Sequence, residues 1–514
     1  MDTNSHTHAA AKAPAAPEFQ SLVPDARLRV VLYCFLMTAL FMATLDNQIV
    51  STALPTIVGE FGELERFGWV GSAYLLATSA VMPLYGKLGD LFGRKYVMMA
   101  AIFIFTIGSL VCGLSVSMNT LIAARVLQGL GGGGIMVSIF SINADLFEPR
   151  VRARYQSYSS LVLVASGAIG PTLGGFLSDT IGWRSIFLVN LPIGIIVLAG
   201  LAFFLPYRKP MRRPKIDYAG VLLLAGAVTS VVFWADSGQI FGSMFAPASL
   251  GVVGFGIVCA TLWVQVEKRA PEPVVPLSLF KSRTVCLLWV LSICSGSVGI
   301  GSVNYVALFL QSTTGLSPSM AGLLFIAVTG GIAIGSLNSG RLIARTGRYK
   351  IFGMISAGGS CLAFFIFSQL PVGMPIFVYA MLMLMQGISV GIGQQVPVIG
   401  VQNAAQPRDI GAATGTVTLT RMGGASLAMS IYGAVLSAFI AKSAAIPGVT
   451  DIEKLTPAAM AQLDEHTRAL VAQTYAHAFS PVFLSMSMLI FCGFVAACLL
   501  QNVQLPTMHK KTAP

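Results

Sequence analysis

Apolar residues in this chain come in long, nearly unbroken runs, not in the rhythms of half-buried helices or strands. Runs of spanning length lie near residues 30–55, 67–85, 97–117, 120–144, 157–178, 185–205, 218–235, 245–266, 284–310, 319–340, 351–369, 373–399, 411–440 and 480–501. About 20 apolar residues make a helix that crosses a bilayer, and a helix satisfies every backbone polar group there. The pattern predicts an all-α polytopic membrane protein with fourteen transmembrane helices and both termini on one side.

Composition agrees: the 514 residues are 55% hydrophobic and 10% charged, where soluble domains are nearer a quarter charged. The 53 glycines suit closely packed membrane helices. Placing both termini in the cytoplasm puts twenty-five of the thirty-two Lys and Arg residues on that side and five outside. Arg125 and Arg421 lie within helices. This is the positive-inside pattern. The net charge of +12 is therefore read as topology signal and lipid-headgroup contact, not as a nucleic-acid site. The eight cysteines fall in apolar runs without CxxC spacing and read as packing residues, not metal ligands or disulfides. Residues 1–26 have no apolar core and read as a tail, not a signal peptide.

A weak repeat divides the chain. Gly86-Lys87-Leu88-Gly89-Asp90-Leu91-Phe92-Gly93-Arg94 follows the second run, and Gly340-Arg341-Leu342-Ile343-Ala344-Arg345-Thr346-Gly347-Arg348 follows the tenth. Repeated halves around a central site are a common transporter design. The expected organisation is a cytoplasmic tail (1–27), a six-helix bundle (28–206), a linker with two extra helices (207–283), a second six-helix bundle (284–503) and a cytoplasmic tail (504–514). An outer loop occupies 441–479, with a short amphipathic helix expected near 458–473.

Asp46 is the most informative residue. It sits inside the first run, where an ionisable group is costly unless paired, solvated or neutralised, and so marks a functional site. A membrane carboxylate that gains and loses a proton suggests coupling to a proton gradient. Arg125, in Arg125-Val126-Leu127-Gln128-Gly129, lies ~9 Å from the outer surface and Asp46 ~14 Å, depths compatible with contact or a water bridge; the bland alternative is that Arg125 snorkels outward. In the inner loop at 86–95, Gly86 and Gly93 permit a tight turn and close helix approach. Asp90 is suited to the exposed amides of a helix near Gly411, and Arg94 to Asp145 or Glu148, forming an inner gate. The fifth run carries Gly170-Pro171-Thr172-Leu173-Gly174-Gly175, where Pro171 removes an amide and Ser166, Gly170 and Gly174 make a smooth face. Arg421, ~15 Å deep in its helix, either faces a cavity or bonds another helix. Asn304, Gln394 and Gln395 are further cavity candidates, with interhelical bonding as the plain alternative. The run Gly131–Gly134 lacks the Lys-Ser/Thr ending of a phosphate loop.

Taken together and in this order, these stretches resemble the major facilitator superfamily, specifically its fourteen-span drug:proton antiporter branch. The stretch Gly182-Trp183-Arg184-Ser185-Ile186-Phe187-Leu188-Val189-Asn190-Leu191-Pro192 looks like the junction between its fifth and sixth helices. The resemblance covers residues 28–503. It implies two six-helix bundles with two inserted helices, alternating access, and export driven by inward proton flow. It implies Asp46 as the proton-responsive acid with Arg125 as partner, Asp90 and Arg94 as inner latch, and Gly170, Pro171, Gly174 and Gly175 as the antiporter element. Gln48 and Ser51 depart from the family's usual Thr and Asn, and the last six runs hold no acid of the kind some organic-cation exporters carry.

The expectation is a proton-coupled exporter of amphiphilic small molecules in a bacterial-type inner membrane, surrounded by lipid, with protons as coupling ion and no other cofactor. A dedicated exporter of an endogenous metabolite or lipid-like product is the alternative, and a transport-incompetent receptor or assembly partner is an alternative of another class. No nucleophile–base or metal-ligand constellation points to an enzyme. Any periplasmic adaptor is left unidentified.

Overall fold

The computed structural model describes residues 21–61, 67–208, 217–235, 246–314, 318–371, 373–440 and 464–505, with 237, 241, 316 and 442 as single positions. Each of the fourteen apolar runs falls on helix. The first half comprises α1 (Ala26–Phe61), α2 (Phe67–Phe92), α3 (Arg94–Gly113), α4 (Met118–Leu146), α5 (Pro149–Thr180), α6 (Ser185–Leu188) and α7 (Asn190–Phe204). Then come α8 (Tyr218–Ala235), α9 (Pro247–Glu267) and the short α10 (Ser278–Lys281). The second half holds α11 (Arg283–Gly299), α12 (Val303–Thr314), α13 (Pro318–Thr346), α14 (Lys350–Gln369), α15 (Ile376–Gly393), α16 (Val396–Ala404), α17 (Ile410–Ile440) and α18 (Glu465–Leu499). Among the described residues, eleven helices are long and apolar enough to cross a membrane, and Tyr218–Trp234 and Arg283–Gly299 are shorter apolar helices.

Several boundaries differ from the sequence reading. The segment 86–95 is not a loop: α2 runs through Phe92, and Gly93 alone breaks the helix, with φ 91°. A side chain is strained at such a φ, so glycine sits where the chain must reverse within one residue. Its degenerate counterpart turns at Gly347, φ 69°, within the three residues 347–349 between α13 and α14. The last helix starts at Glu465, capped by Asp464 accepting from the Thr467 amide, so the end of the expected outer loop belongs to α18. The first part of the expected amphipathic helix, 458–463, lies outside the described residues. Two runs are interrupted: 284–310 between α11 and α12 around Gly301, and 373–399 at Gln394 and Gln395. The second break precedes Pro397, whose missing amide is harmless only in a first helical turn.

Helices α1–α7 pack among themselves, as do α11–α18; α2 meets α17 and α5 meets α13 across the two groups. Helices α8 and α9 pair, and α8 rests on α2 and α17. Glycine sets the crossings. A Cβ on Gly86 would strike the Gly411 backbone, and one on Gly340 the Ser157 side chain. The two copies of the repeated segment thus each make a cross-group contact.

Hydrogen bonds between the groups gather at one end. Ser336 donates to the Ser157 carbonyl (3.2 Å), Gln156 to Gln402 (3.2 Å), Gln395 to Ser160 (3.3 Å) and Gln402 to the Phe140 carbonyl (3.1 Å). Both termini of the described chain are at this end: Leu22 N bonds the Asp145 carbonyl, and the Leu505 carbonyl accepts from Arg150. The molecule is therefore closed at the end bearing the termini.

The opposite end of the first group is held by Glu60, whose carboxylate accepts from Arg184 (2.7 and 3.0 Å) and from the Trp183 indole (2.6 Å). Those donors hold its carboxyl below the ordinary value of 4.5. A depressed acid stabilises the fold above its unfolded pKa and ceases to do so as pH falls through the folded one. The melting difference between wild type and Arg184→Ala in detergent should therefore be small, as for an exposed pair, present near neutrality, and vanish as pH drops well below about 4.

Candidate functional site

Asp46, on α1, is fully buried and bonded on both oxygens. Its Oδ2 accepts from Arg125 Nη1 at 2.6 Å, and its Oδ1 from Gln128 Nε2 and Asn190 Nδ2, each at 2.8 Å. Arg125 is equally buried. Its Nε donates to the Val70 carbonyl (3.1 Å), Nη1 also reaches Gln128 Oε1 (2.7 Å), and its guanidinium lies 4.3 Å from the centroid of the Tyr74 ring. Ser109 Oγ accepts from Gln128 (3.0 Å) and Asn190 (2.9 Å), closing the network. Arg125 Nη2 alone has no partner.

The backbone allows this because α4 is almost free of side chains here. A Cβ on Gly132 would come within 2.5 Å of the Tyr74 hydroxyl, and one on Gly108 within 2.6 Å of the Gln128 backbone. The glycine run is thus the groove that lets α2 and α3 close over the ion pair. Two desolvated charges are tolerated only when mutually paired and otherwise hydrogen-bonded, which these are apart from Arg125 Nη2.

At the closed end, Asp90 accepts from the amides of Gly411 and Ala412, both at 3.1 Å. These are orphan donors of the α17 N-terminus, where the helix dipole also favours an anion. Arg94 pairs with Asp90 (3.3 Å) and Asp145 (2.9 Å) and donates to the Ser141 carbonyl. Glu148 is not its partner. Lys87, beside this cluster, pairs with Glu272 in the segment after α9 (2.9 Å), tying that segment to the end of α2.

This helical architecture matches a family model. The Major Facilitator Superfamily model covers residues 36–429. The chain belongs to the major facilitator superfamily. An uncharacterized MFS-type transporter of Mycobacterium tuberculosis is 34% identical over 488 residues, covering 94% of this chain and 71% of the relative. The multidrug transporter protein MdtP of Bacillus subtilis is 31% identical over 422 residues, covering 80% of this chain and 76% of that protein. Among solved structures, the proton:xylose symporter XylE shares the fold, with a TM-score of 0.60, 13% identity, and coverage of 93% of this chain and 98% of that one.

Within this facilitator, α5 leans on α1 beside the ion pair. Ser166 and Thr44 share a hydrogen bond of 2.7 Å, and a Cβ on Gly170 would strike Gln48. Gly174 is buried, whereas Gly175 faces open space. Helix α5 continues through Pro171. Of the cavity candidates, Arg421 and Gln394 line one cavity of the second group. Gln395 instead bridges to Ser160 on α5. Asn304 lies on α12, and its side chain is outside the described residues. Sequence reasoning missed Gln128, Asn190 and Ser109 as ligands of the Asp46 carboxylate or its donors. The first two stood inside quoted motifs as polar residues in apolar surroundings, a usable signal; Ser109 gave none.

Two outcomes follow from the geometry. Asp46→Asn strands a guanidinium that cannot lose its proton, whereas Arg125→Met leaves a carboxyl that neutralises by taking one. Asp46→Asn should lower stability by about 3–5 kcal/mol, and Arg125→Met by less, measured by thermal unfolding in detergent. Asp90→Ala removes two charge-assisted bonds, each worth roughly 1.5–3 kcal/mol. It should loosen the closed end by about tenfold or more in population, read as lost cross-linking between cysteines placed at 157 and 336.

Proposed function

We propose that this facilitator is a proton-coupled antiporter that exports amphiphilic small molecules by alternating access. In this reading fourteen helices span a bacterial-type inner membrane, both termini are cytoplasmic, and the closed end faces the cytoplasm. The observation that carries it is Asp46: a fully buried carboxylate, deep in an apolar helix, held by an arginine. The relatives named as multidrug transporter and efflux pump support the direction of transport.

Every bond of Asp46 goes to α4 or α7 within its own helix group. Proton and substrate therefore do not contend for one spot, and coupling runs through the helices. A proton on Asp46 removes the charge pair joining α1 to α4. Helix α1 then shifts against α5 along the Thr44–Ser166 and Gln48–Gly170 contacts. Helix α5 carries the movement to α13 through Ser157, Ser336 and Gly340. The same movement draws Asp90 away from the α17 N-terminus and opens the cytoplasmic end. Returning the proton to the low-proton side restores the pair. One charge crossing the membrane potential adds about 2.3 kcal/mol per 100 mV, enough to bias the two states.

Substrate-induced proton release from purified protein tests this. Wild type should release protons on adding an exported compound, and Asp46→Asn should release none. Inverted vesicles carrying Asp46→Asn should lose uncoupler-sensitive drug accumulation by at least about tenfold while retaining downhill counterflow. Full proton-driven transport by Asp46→Asn removes the acid from the mechanism.

A further inference from the structure

The second helix group has a polar centre of its own. Where α1, α3, α4 and α7 converge on Asp46, helices α11, α14, α15, α17 and α18 converge on a cavity whose polar lining is Arg421, Gln394, Ser295, Ser356 and Ser360. The charge here is a cation, and no described residue is its counter-ion. From residue 284 to 440 the sequence contains one acid, Asp409. It pairs with Arg408 and stands a dozen residues, or ~18 Å of helix, from Arg421. Among the described residues no ion pair involves Arg421.

The backbone that carries the arginine is held in place. Ser292 donates to the Val417 carbonyl (2.8 Å) and Ser297 to the Gly424 carbonyl (3.0 Å), pinning α17 to α11 on either side of it. A Cβ on Gly296 would strike the Arg421 backbone carbonyl, so the helices cross at this residue. The Gln394 side-chain oxygen, also on the cavity, has no partner.

A second cavity shares Val298, Gly299, Ile332 and Val390 with the first, so the two adjoin. Its far wall is Phe325, Phe364, Phe367 and Met383. Two polar residues also line this cavity: Ser302, whose hydroxyl donates to the Val298 carbonyl, and Gln386, 6% exposed, with neither its amide nitrogen nor its oxygen bonded. Side by side, the two cavities make an amphipathic slot, with the Arg421 cation at one end and aromatic surface at the other.

We propose that this slot is the substrate site and that its substrates are hydrophobic organic anions, a carboxylate-type head on Arg421 and Gln394 with an aryl or alkyl body past Gln386. This deepens the transport reading above and rests on it. A guanidinium with no internal partner binds an anion with charge-assisted hydrogen bonds, while the apolar wall binds the body by exclusion of water. The uncharged amide of the same skeleton leaves the guanidinium unpaired, and an ammonium is repelled by it.

Equilibrium binding to the purified full chain, with no gradient, tests this using 4-phenylbutyrate, 4-phenylbutyramide, 4-phenylbutylamine and acetate. Wild type should prefer the carboxylate to the amide by at least about tenfold, reject the amine, and bind acetate far more weakly than phenylbutyrate. Arg421→Gln should erase the preference for carboxylate over amide, Arg421→Lys should retain part of it, and Gln394→Leu should weaken head-group binding. Should Arg421→Gln misfold, the Lys and Leu variants carry the test. An undiminished carboxylate preference in these variants overturns the inference, as does acetate binding as tightly as phenylbutyrate, or selection of the amine. Because no proton gradient enters, these affinities stand even if Asp46 proves irrelevant to export. Conversely, Asp46-dependent export with no carboxylate preference sinks this inference alone.

Discussion

The structure depends on one desolvated ion pair. Asp46 and Arg125 sit buried from solvent, and a charge there is tolerated only when it is paired and largely hydrogen-bonded. Gln128 and Asn190 supply the remaining donors to the carboxylate, and Ser109 accepts from both amides. That demand explains features that look unrelated along the chain: the glycine run of α4, the tyrosine lying on the guanidinium, and the asparagine that opens α7. Each lets backbone or ring approach the pair closely enough to replace solvent.

Charge is used differently at the closed end. Asp90 is held by backbone amides at the start of α17, and Arg94 ties it to Asp145. Such bonds join elements that can separate and find water instead, so the latch is suited to opening, whereas the Asp46 pair has no such exit. Beside the latch, Lys87 and Glu272 tie the end of α2 to the segment after α9. The second half repeats the packing device, Gly340 against α5, without the acid: Ala344 stands where Asp90 would. The two halves are thus alike in shape and unlike in charge. The same contrast holds at their centres, an acid satisfied from within in one and an arginine facing a cavity in the other.

Much of this was legible beforehand. The apolar runs located the helices, because only helix hides its backbone in hydrocarbon. The depths of Asp46 and Arg125 were compatible with contact, and the pairing of Asp90 with the Gly411 region followed from helix-end chemistry, whereas the choice of Asp145 over Glu148 for Arg94 came from the structure. Boundaries were less legible. The 86–95 segment read as a loop because charges and glycines mark turns in soluble chains; in the structure its charges project from the end of a helix and only Gly93 departs from helical geometry. Helix α18 likewise extends into polar sequence, since nothing forces a helix to stop where the apolar stretch does.

What the sequence determined by itself was which segments must be helical, and which few ionisable groups inside them required partners, because both follow from the cost of bare polar groups in an apolar medium. Which partners they found was decided by tertiary structure. That Gln128 and Asn190 serve Asp46, that Gln395 bridges to α5 while its neighbour Gln394 lines a cavity, and that Arg421 has no acid beside it among the described residues all depend on rotation and register between helices. Those are set by glycine contacts distant in sequence, and a one-residue change in register turns a helical side chain by about 100°.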